Sequence, residues 1–203
     1  MTGPDTLTIM SRSVPSGTHI CAFYSGSAGR DDVVMPFLAD GIRAGQKCIC
    51  VLESLAPADV LVRLDRQVDL DRTVQTGQLE LATPADAYLR SGTFSTDAML
   101  SYWQHAAAAA QGAKGSGMLR ATGEMPSVLD HPDGRTEFFR YEARLNGCVA
   151  SLPAVILCLY DLQRFGAEVL MDTLRTHPMV VVDDMVHDNP YYVDPGEFVR
   201  GRE

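Results

Sequence analysis

The chain has 203 residues, 46% hydrophobic and 21% charged, with a formal net charge of −9. That length and balance suit a folded domain with a substantial buried core. The negative charge argues against direct nucleic-acid binding, which rests on clustered Lys and Arg. No apolar run approaches the roughly 20 residues that span a bilayer, so no membrane partner is expected.

Residues 1–17 are mostly small and polar and read as a flexible lead-in to one domain over residues 18–203. They contain no signal-peptide apolar core, which points to the cytoplasm. His19 to Tyr24 reads as a first buried strand. Residues 25–30, Ser-Gly-Ser-Ala-Gly-Arg, read as a flexible loop, with Asp31 or Asp32 capping the next helix. That helix carries Val33, Val34, Phe37, Leu38 and Ile42 and stops near Gly41 to Gly45. Lys47 to Leu52 forms a second strand ending at Glu53, and Pro57 opens a helix to about Arg66.

Leu79 to Ala82 is a short third strand, and Ala85 to Leu89 makes a helical turn broken by Gly92. Five consecutive alanines lie in a helix from about Thr96 to Ala110. Met118 to Glu124 is a strand with a polar exit. Phe138, Phe139, Tyr141, Glu142 and Leu145 share a helix that ends at Asn146-Gly147. Ala154 to Asp161 is an unbroken apolar run, the mark of a central strand covered on both faces. A helix to about Thr176, a strand at Met179 to Val182 and a turn-rich tail from Val186 to Tyr192 follow. This alternation predicts an α/β three-layer sandwich with a mostly parallel central sheet.

Ligands of such sheets sit beyond the carboxyl ends of the strands. Phe23 and Tyr24, Glu124, and Tyr160 and Asp161 end three of them, and with Arg120 they make the candidate ligand-binding set. A structural ion pair between Arg120 and a carboxylate at the sheet edge is an equal reading of the same residues. Residues 25–32 occupy the place of a phosphate-binding loop but lack its lysine, and Asp31 and Asp32 would repel a triphosphate there. Val155 to Asp161 does resemble the apolar run and aspartate that hold magnesium in such proteins.

The five cysteines are Cys21, Cys48, Cys50, Cys148 and Cys158. All but Cys148 sit in apolar runs and read as reduced core thiols. Cys48 and Cys50 share one face of a strand, but with no Cys-x-x-Cys pair and scattered histidines no metal site is assigned. His177 and His187 read as surface or capping residues. No paired nucleophile and base is evident, and no catalytic residue or cofactor is assigned.

Seven segments together resemble one family: His19 to Tyr24, Phe37 to Gln46, Arg120 to Met125, Tyr141 to Asn146, Cys158 to Asp161, His177-Pro178 and Asn189 to Tyr192. The family is MEDS, the methanogen/methylotroph, DcmR sensory domain, and the resemblance covers roughly His19 to Pro195. It implies a RecA- or KaiC-like fold that has lost its phosphate-binding loop, and a domain that senses small hydrocarbon derivatives. Family members often adjoin histidine kinase or DNA-binding domains, and neither is recognisable in this sequence. A signal is then expected to pass through a partner protein such as a histidine kinase or transcription regulator, or through homo-oligomerisation. The alternative is a nucleotide-processing or hydrolytic enzyme using Glu124 and Asp161.

Overall fold

The computed structural model describes residues 6–88, 93–113, 115–125, 129 and 132–201. Leu89 and Gly92 of the expected helical turn, and the first five residues of the expected lead-in, lie outside them. The rest of that lead-in is ordered: β1 (Thr6–Ile9) and β2 (Arg12–Pro15) form an antiparallel hairpin. Its apolar residues alternate, which buries Leu7, Ile9 and Val14 on one side. Met10 and Ser11 turn the chain with φ of 46° and 64°.

The main sheet has the order β5-β4-β6-β7-β3-β8-β9. Its parallel members are β3 (Thr18–Tyr24), β4 (Lys47–Val51), β5 (Leu79–Ala82), β6 (Leu119–Glu124), β7 (Ala154–Asp161) and β8 (Met179–Val182). In place of a turn-rich tail, β9 (Met185–Asp188) returns antiparallel along β8. Arg12 of the hairpin donates to the Val186 carbonyl of β9 at 2.9 Å and pairs with Asp188 at 2.7 Å.

Strand alternation sorts the interior into two cores. Ile20, Ala22, Tyr24, Val155, Leu157 and Leu159 face α1 (Gly26–Arg43) and α2 (Pro57–Leu64), and the short helices α3 (Leu70–Gln75) and α4 (Pro84–Ala87) precede and follow β5. Cys21, Phe23, Ile156, Cys158 and Tyr160 face α5 (Thr96–Gly112), α6 (Pro132–Val149) and α7 (Ala167–Thr176). Two helix boundaries differ from the sequence reading. A single residue, Ser25, separates β3 from α1, so residues 26–30 are helix and Asp31 and Asp32 lie inside it. The sixth helix runs through Asn146-Gly147 because the Asn146 amide donates to the Glu142, Ala143 and Thr176 carbonyls rather than ending the helix.

Arg120 is the second residue of β6 and is buried beneath α1. Its Nε donates to Gln46 Oε1 at 2.6 Å, Nη1 to the Phe37 carbonyl at 3.1 Å, and Nη2 to the Thr8 carbonyl at 2.9 Å. The guanidinium also lies 4.9 Å from the centre of the Phe37 ring. Neutral oxygens therefore solvate it in place of the expected carboxylate. A Cβ on Gly41 would stand 2.5 Å from Arg120 Cδ and 2.8 Å from Cys48 Sγ, so the absent side chain makes the room. Arg120→Ala is expected to cost about 3 kcal/mol or more, through orphaned acceptors and a void. Gly41→Ala should cost about 1–3 kcal/mol by overpacking. Both are read as a lower urea midpoint at unchanged m-value. Arg120→Lys should recover little, since three different guanidinium nitrogens reach the three acceptors and one compact ammonium cannot span them.

Candidate functional site

The carboxyl ends of β3, β6 and β7 open on a crevice of about 220 Å³. Tyr24, Glu124 and Asp161 line it, together with Ser54, Leu159 and Phe165. It lies where the chain leaves neighbouring strands in opposite directions: α1 follows β3 on one face of the sheet and α7 follows β7 on the other. Leu159 and Phe165 are apolar and buried, while Asp161 and Arg164 stand at the more exposed side.

Glu124 is buried and accepts from four donors. Oε2 takes the backbone N–H groups of Glu53 and Ser54, each at 2.7 Å. Oε1 takes the Tyr24 hydroxyl at 2.9 Å and the Ser54 hydroxyl. Burial and the Glu124 charge push the Tyr24 pKa up, so its phenol stays a donor. Ser54 Oγ in turn accepts from Arg30 Nη1 at 2.5 Å. Arg30 also holds Asp31 at 2.7 Å, and Arg63 of α2 meets the other oxygen of Asp31 at 2.7 Å. Asp31 is thus paired with two arginines, which removes the repulsive role read for it from the sequence. Arg164 pairs with Glu53 at 2.7 Å beside the mouth.

Three of the six candidate residues therefore meet: Tyr24, Glu124 and Asp161. Phe23 and Tyr160 pack as tilted rings with centres 6.1 Å apart at the same sheet edge but on the opposite face, toward α6. Arg120 does not reach the crevice. It pairs with Val155 in register, six residues before Asp161, which places it roughly 20 Å away at the amino end of the sheet. The cation near Glu124 is instead Arg30, with Nη1 3.9 Å from Oε1. Its signal in the sequence was a charge directly after Gly29, at the helix start.

A second cluster lies on the α6 face. His19, Glu142, Cys158 and His177 are 1%, 0%, 4% and 0% exposed, and their ligand-type atoms all lie within 4.8 Å of one another. His19 Nε2 is 3.1 Å from Glu142 Oε2 and 3.2 Å from Cys158 Sγ, and His177 Nε2 is 3.2 Å from the same Glu142 oxygen. The two imidazoles lie 4.0 Å apart. Burial and the neighbouring His177 lower the His19 pKa to about 4. Burial alone would raise the Glu142 pKa, but the closeness of the two imidazoles outweighs it and brings it to about 2. Burial and the Glu142 charge hold the Cys158 thiol well above its usual range.

His177 is therefore an interior residue, not the surface or capping residue read from the sequence. The structure also pairs a thiol with an imidazole, which the sequence reading did not find. All four residues fall in segments that carry the family resemblance, and that was the available signal.

The layered sheet has the same fold as a KaiC-like α/β protein. A KaiC-like protein of the hyperthermophilic archaeon Pyrococcus horikoshii superposes with a TM-score of 0.55 over 82% of this chain and 70% of its own, at 16% identity, a likeness of fold alone. Residues 18–178 match the family model described as MEDS, the methanogen/methylotroph, DcmR sensory domain, and the chain belongs to that family. The transcriptional repressor DcmR of Methylorubrum extorquens (strain DSM 6343 / CIP 106787 / DM4) is 28% identical over 163 residues, 78% of this chain. The chain spans 57% of that repressor's length. Family and relative together support a sensory or regulatory role. No helix among the described residues is long and apolar enough to cross a membrane.

Glu124→Gln would replace one acceptor oxygen by an NH₂ group, set either against the Glu53 and Ser54 N–H groups, which can only donate, or against two hydroxyls that would have to turn to accept. It is expected to cost about 1.5–3 kcal/mol, with faster hydrogen exchange at the Glu53 and Ser54 amides. Tyr24→Phe should cost about 1 kcal/mol. In thiol labelling of the native protein, the half-buried Cys148 should react first. Cys21, Cys48, Cys50 and Cys158, all buried with pKa values pushed up by burial, should wait for unfolding.

Proposed function

We propose that this chain is a cytoplasmic sensory domain that binds a small hydrocarbon derivative in the crevice at the carboxyl edge. The signal then passes to a partner protein of the histidine kinase or transcription-regulator class. The observation that carries the reading is the crevice itself, with an apolar floor and polar rim at the switch point of the sheet. At about 220 Å³ it falls below the roughly 300 Å³ at which drug-sized pockets begin, and a nucleoside triphosphate is larger still. The one-residue connection between β3 and α1 leaves no loop to wrap phosphates.

A larger open groove of about 890 Å³ runs along α1 and α2 near Met10 and Asp184. Its lining includes the charged residues Asp31, Asp32, Asp40, Arg63, Arg66 and Asp184, which suit a small hydrocarbon derivative less than the apolar floor of the crevice. The crevice is therefore the preferred site. Glu124 favours sensing over hydrolysis, because its oxygens are already committed to four donors and offer no free base. Those bonds also form a relay: Glu124 to Ser54, Ser54 to Arg30, Arg30 to Asp31, and Asp31 to Arg63 on α2. A ligand that displaces Ser54 would shift α2, the route we assign to the output.

The test is a titration of labelled protein with short-chain alcohols, acids and halogenated alkanes, followed by amide chemical shifts. Saturable shifts at Ser54, Met125, Asp161 and Phe165 are expected, and Arg164→Ala should weaken binding of acids by about tenfold, or ~1.4 kcal/mol. Micromolar Mg-ATP binding with turnover, or saturable shifts that map only to the groove near Met10, would overturn the reading.

A further inference from the structure

The interior cluster of His19, Glu142, Cys158 and His177 has no part in the crevice. It is assembled from four separate places: β3, α6, β7 and the turn between α7 and β8. Its geometry is short of hydrogens. His177 Nδ1 lies 2.8 Å from the Thr173 carbonyl, which only accepts, so Nδ1 carries the proton and Nε2 presents a lone pair. That lone pair faces Glu142 Oε2 at 3.2 Å without hydrogen-bond geometry. His19 Nε2 points at the same oxygen and at Cys158 Sγ, while the Asn146 side chain stands beside the ring without full hydrogen-bond geometry at Nδ1. Two imidazole nitrogens, a sulfur and a carboxylate thus converge in the interior; His19 Nε2, Cys158 and Glu142 share long contacts, but His177 Nε2 has no hydrogen-bond partner, and interiors rarely leave such a group unsatisfied.

We infer that these four side chains are the ligands of one divalent transition-metal ion of the zinc class, held in a closed tetrahedral site. Zinc bonds of about 2.0–2.3 Å to nitrogen, oxygen and sulfur put neighbouring ligand atoms about 3.3–3.7 Å apart. Four of the six spacings are 3.1 Å, 3.2 Å, 3.2 Å and, from Glu142 Oε2 to Cys158 Sγ, 3.9 Å, and the other two lie within 4.8 Å. Small side-chain adjustments therefore admit the ion. On binding, the Cys158 proton leaves to solvent, and one thiolate and one carboxylate balance the divalent charge while both imidazoles stay neutral. The interior then carries no net charge. The Thr173 carbonyl fixes the His177 tautomer, the usual support for a metal-bound imidazole. With all four positions supplied by the chain, the ion fastens α6 and the turn after α7 to the centre of the sheet, a structural role.

This inference is independent of the crevice reading, since the two sites lie on opposite faces of the sheet. Elemental analysis of protein purified without chelator should give one zinc-class ion per chain. Metal-stripped protein titrated with Co²⁺ should show a thiolate-to-cobalt charge-transfer band and tetrahedral d–d intensities, both saturating at one equivalent. Cys158→Ser should lose the charge-transfer band, Cys48→Ser on the other face should keep it, and His177→Ala should weaken cobalt binding at least tenfold. Should the cluster variants fail to fold, the wild-type chain still decides. Its melting midpoint should fall with chelator and recover with zinc but not magnesium. Metal-free protein as purified with no saturable cobalt spectrum would overturn the site and leave a hydrogen-bonded cluster. A band that survives in Cys158→Ser would overturn the ligand assignment.

Discussion

β3 and β7 lie side by side over seven paired residues, from Thr18 opposite Val155 to Tyr24 opposite Asp161, and that register sorts the polar interior onto its two faces. It sets Tyr24 beside Asp161 at the rim of the crevice, and Cys158 next to Cys21, two residues from His19. Side chains alternate with period two, so a slip of one residue in β3 would carry His19 beneath α1 and Tyr24 beneath α6. Both sites would then be dismantled at once. The length of the apolar runs on both strands, buried on both faces, makes that slip costly.

β6 adds a second constraint on the α1 face. It carries Arg120 near its start and Glu124 at its end, four residues and roughly 13 Å apart. These opposite charges do not pair with each other. Backbone carbonyls and an amide oxygen solvate the cation, and backbone N–H groups and hydroxyls solvate the anion. Each end of the strand is thus anchored to different neighbours: the hairpin and α1 at the amino end, and the segment after β4 at the carboxyl end.

The layered α/β fold was legible because the apolar runs at His19 to Tyr24, Lys47 to Leu52 and Ala154 to Asp161 need no tertiary information to be seen. Tyr24, Glu124 and Asp161 were legible for a related reason, since each ends a parallel strand. Arg120 was misplaced although its strand was read correctly, because its position at the start of β6 sets it at the other edge. The hairpin was hidden by composition: Thr, Ser and Pro suggested a loose segment, while the alternation of Leu7, Ile9 and Val14 marked strands. The start of α1 was obscured by Gly26 and Gly29; Gly26 turns the chain into the helix with a φ of 69°, a conformation glycine adopts without steric cost. The histidine cluster was not legible from spacing, since its members come from four elements and meet only through the register of β3 on β7.

The two margins of the main sheet share a feature with a bearing on self-assembly. β5 and β9 are each four residues long. On β5, Glu80 is half-exposed and engaged by Lys47 at 3.2 Å. On β9, the guanidinium of Arg12 already occupies the Val186 carbonyl and grips Asp188. Short strands with charge on their flanks make poor templates for another chain. The main sheet is therefore a poor template for growth by strand addition at either margin.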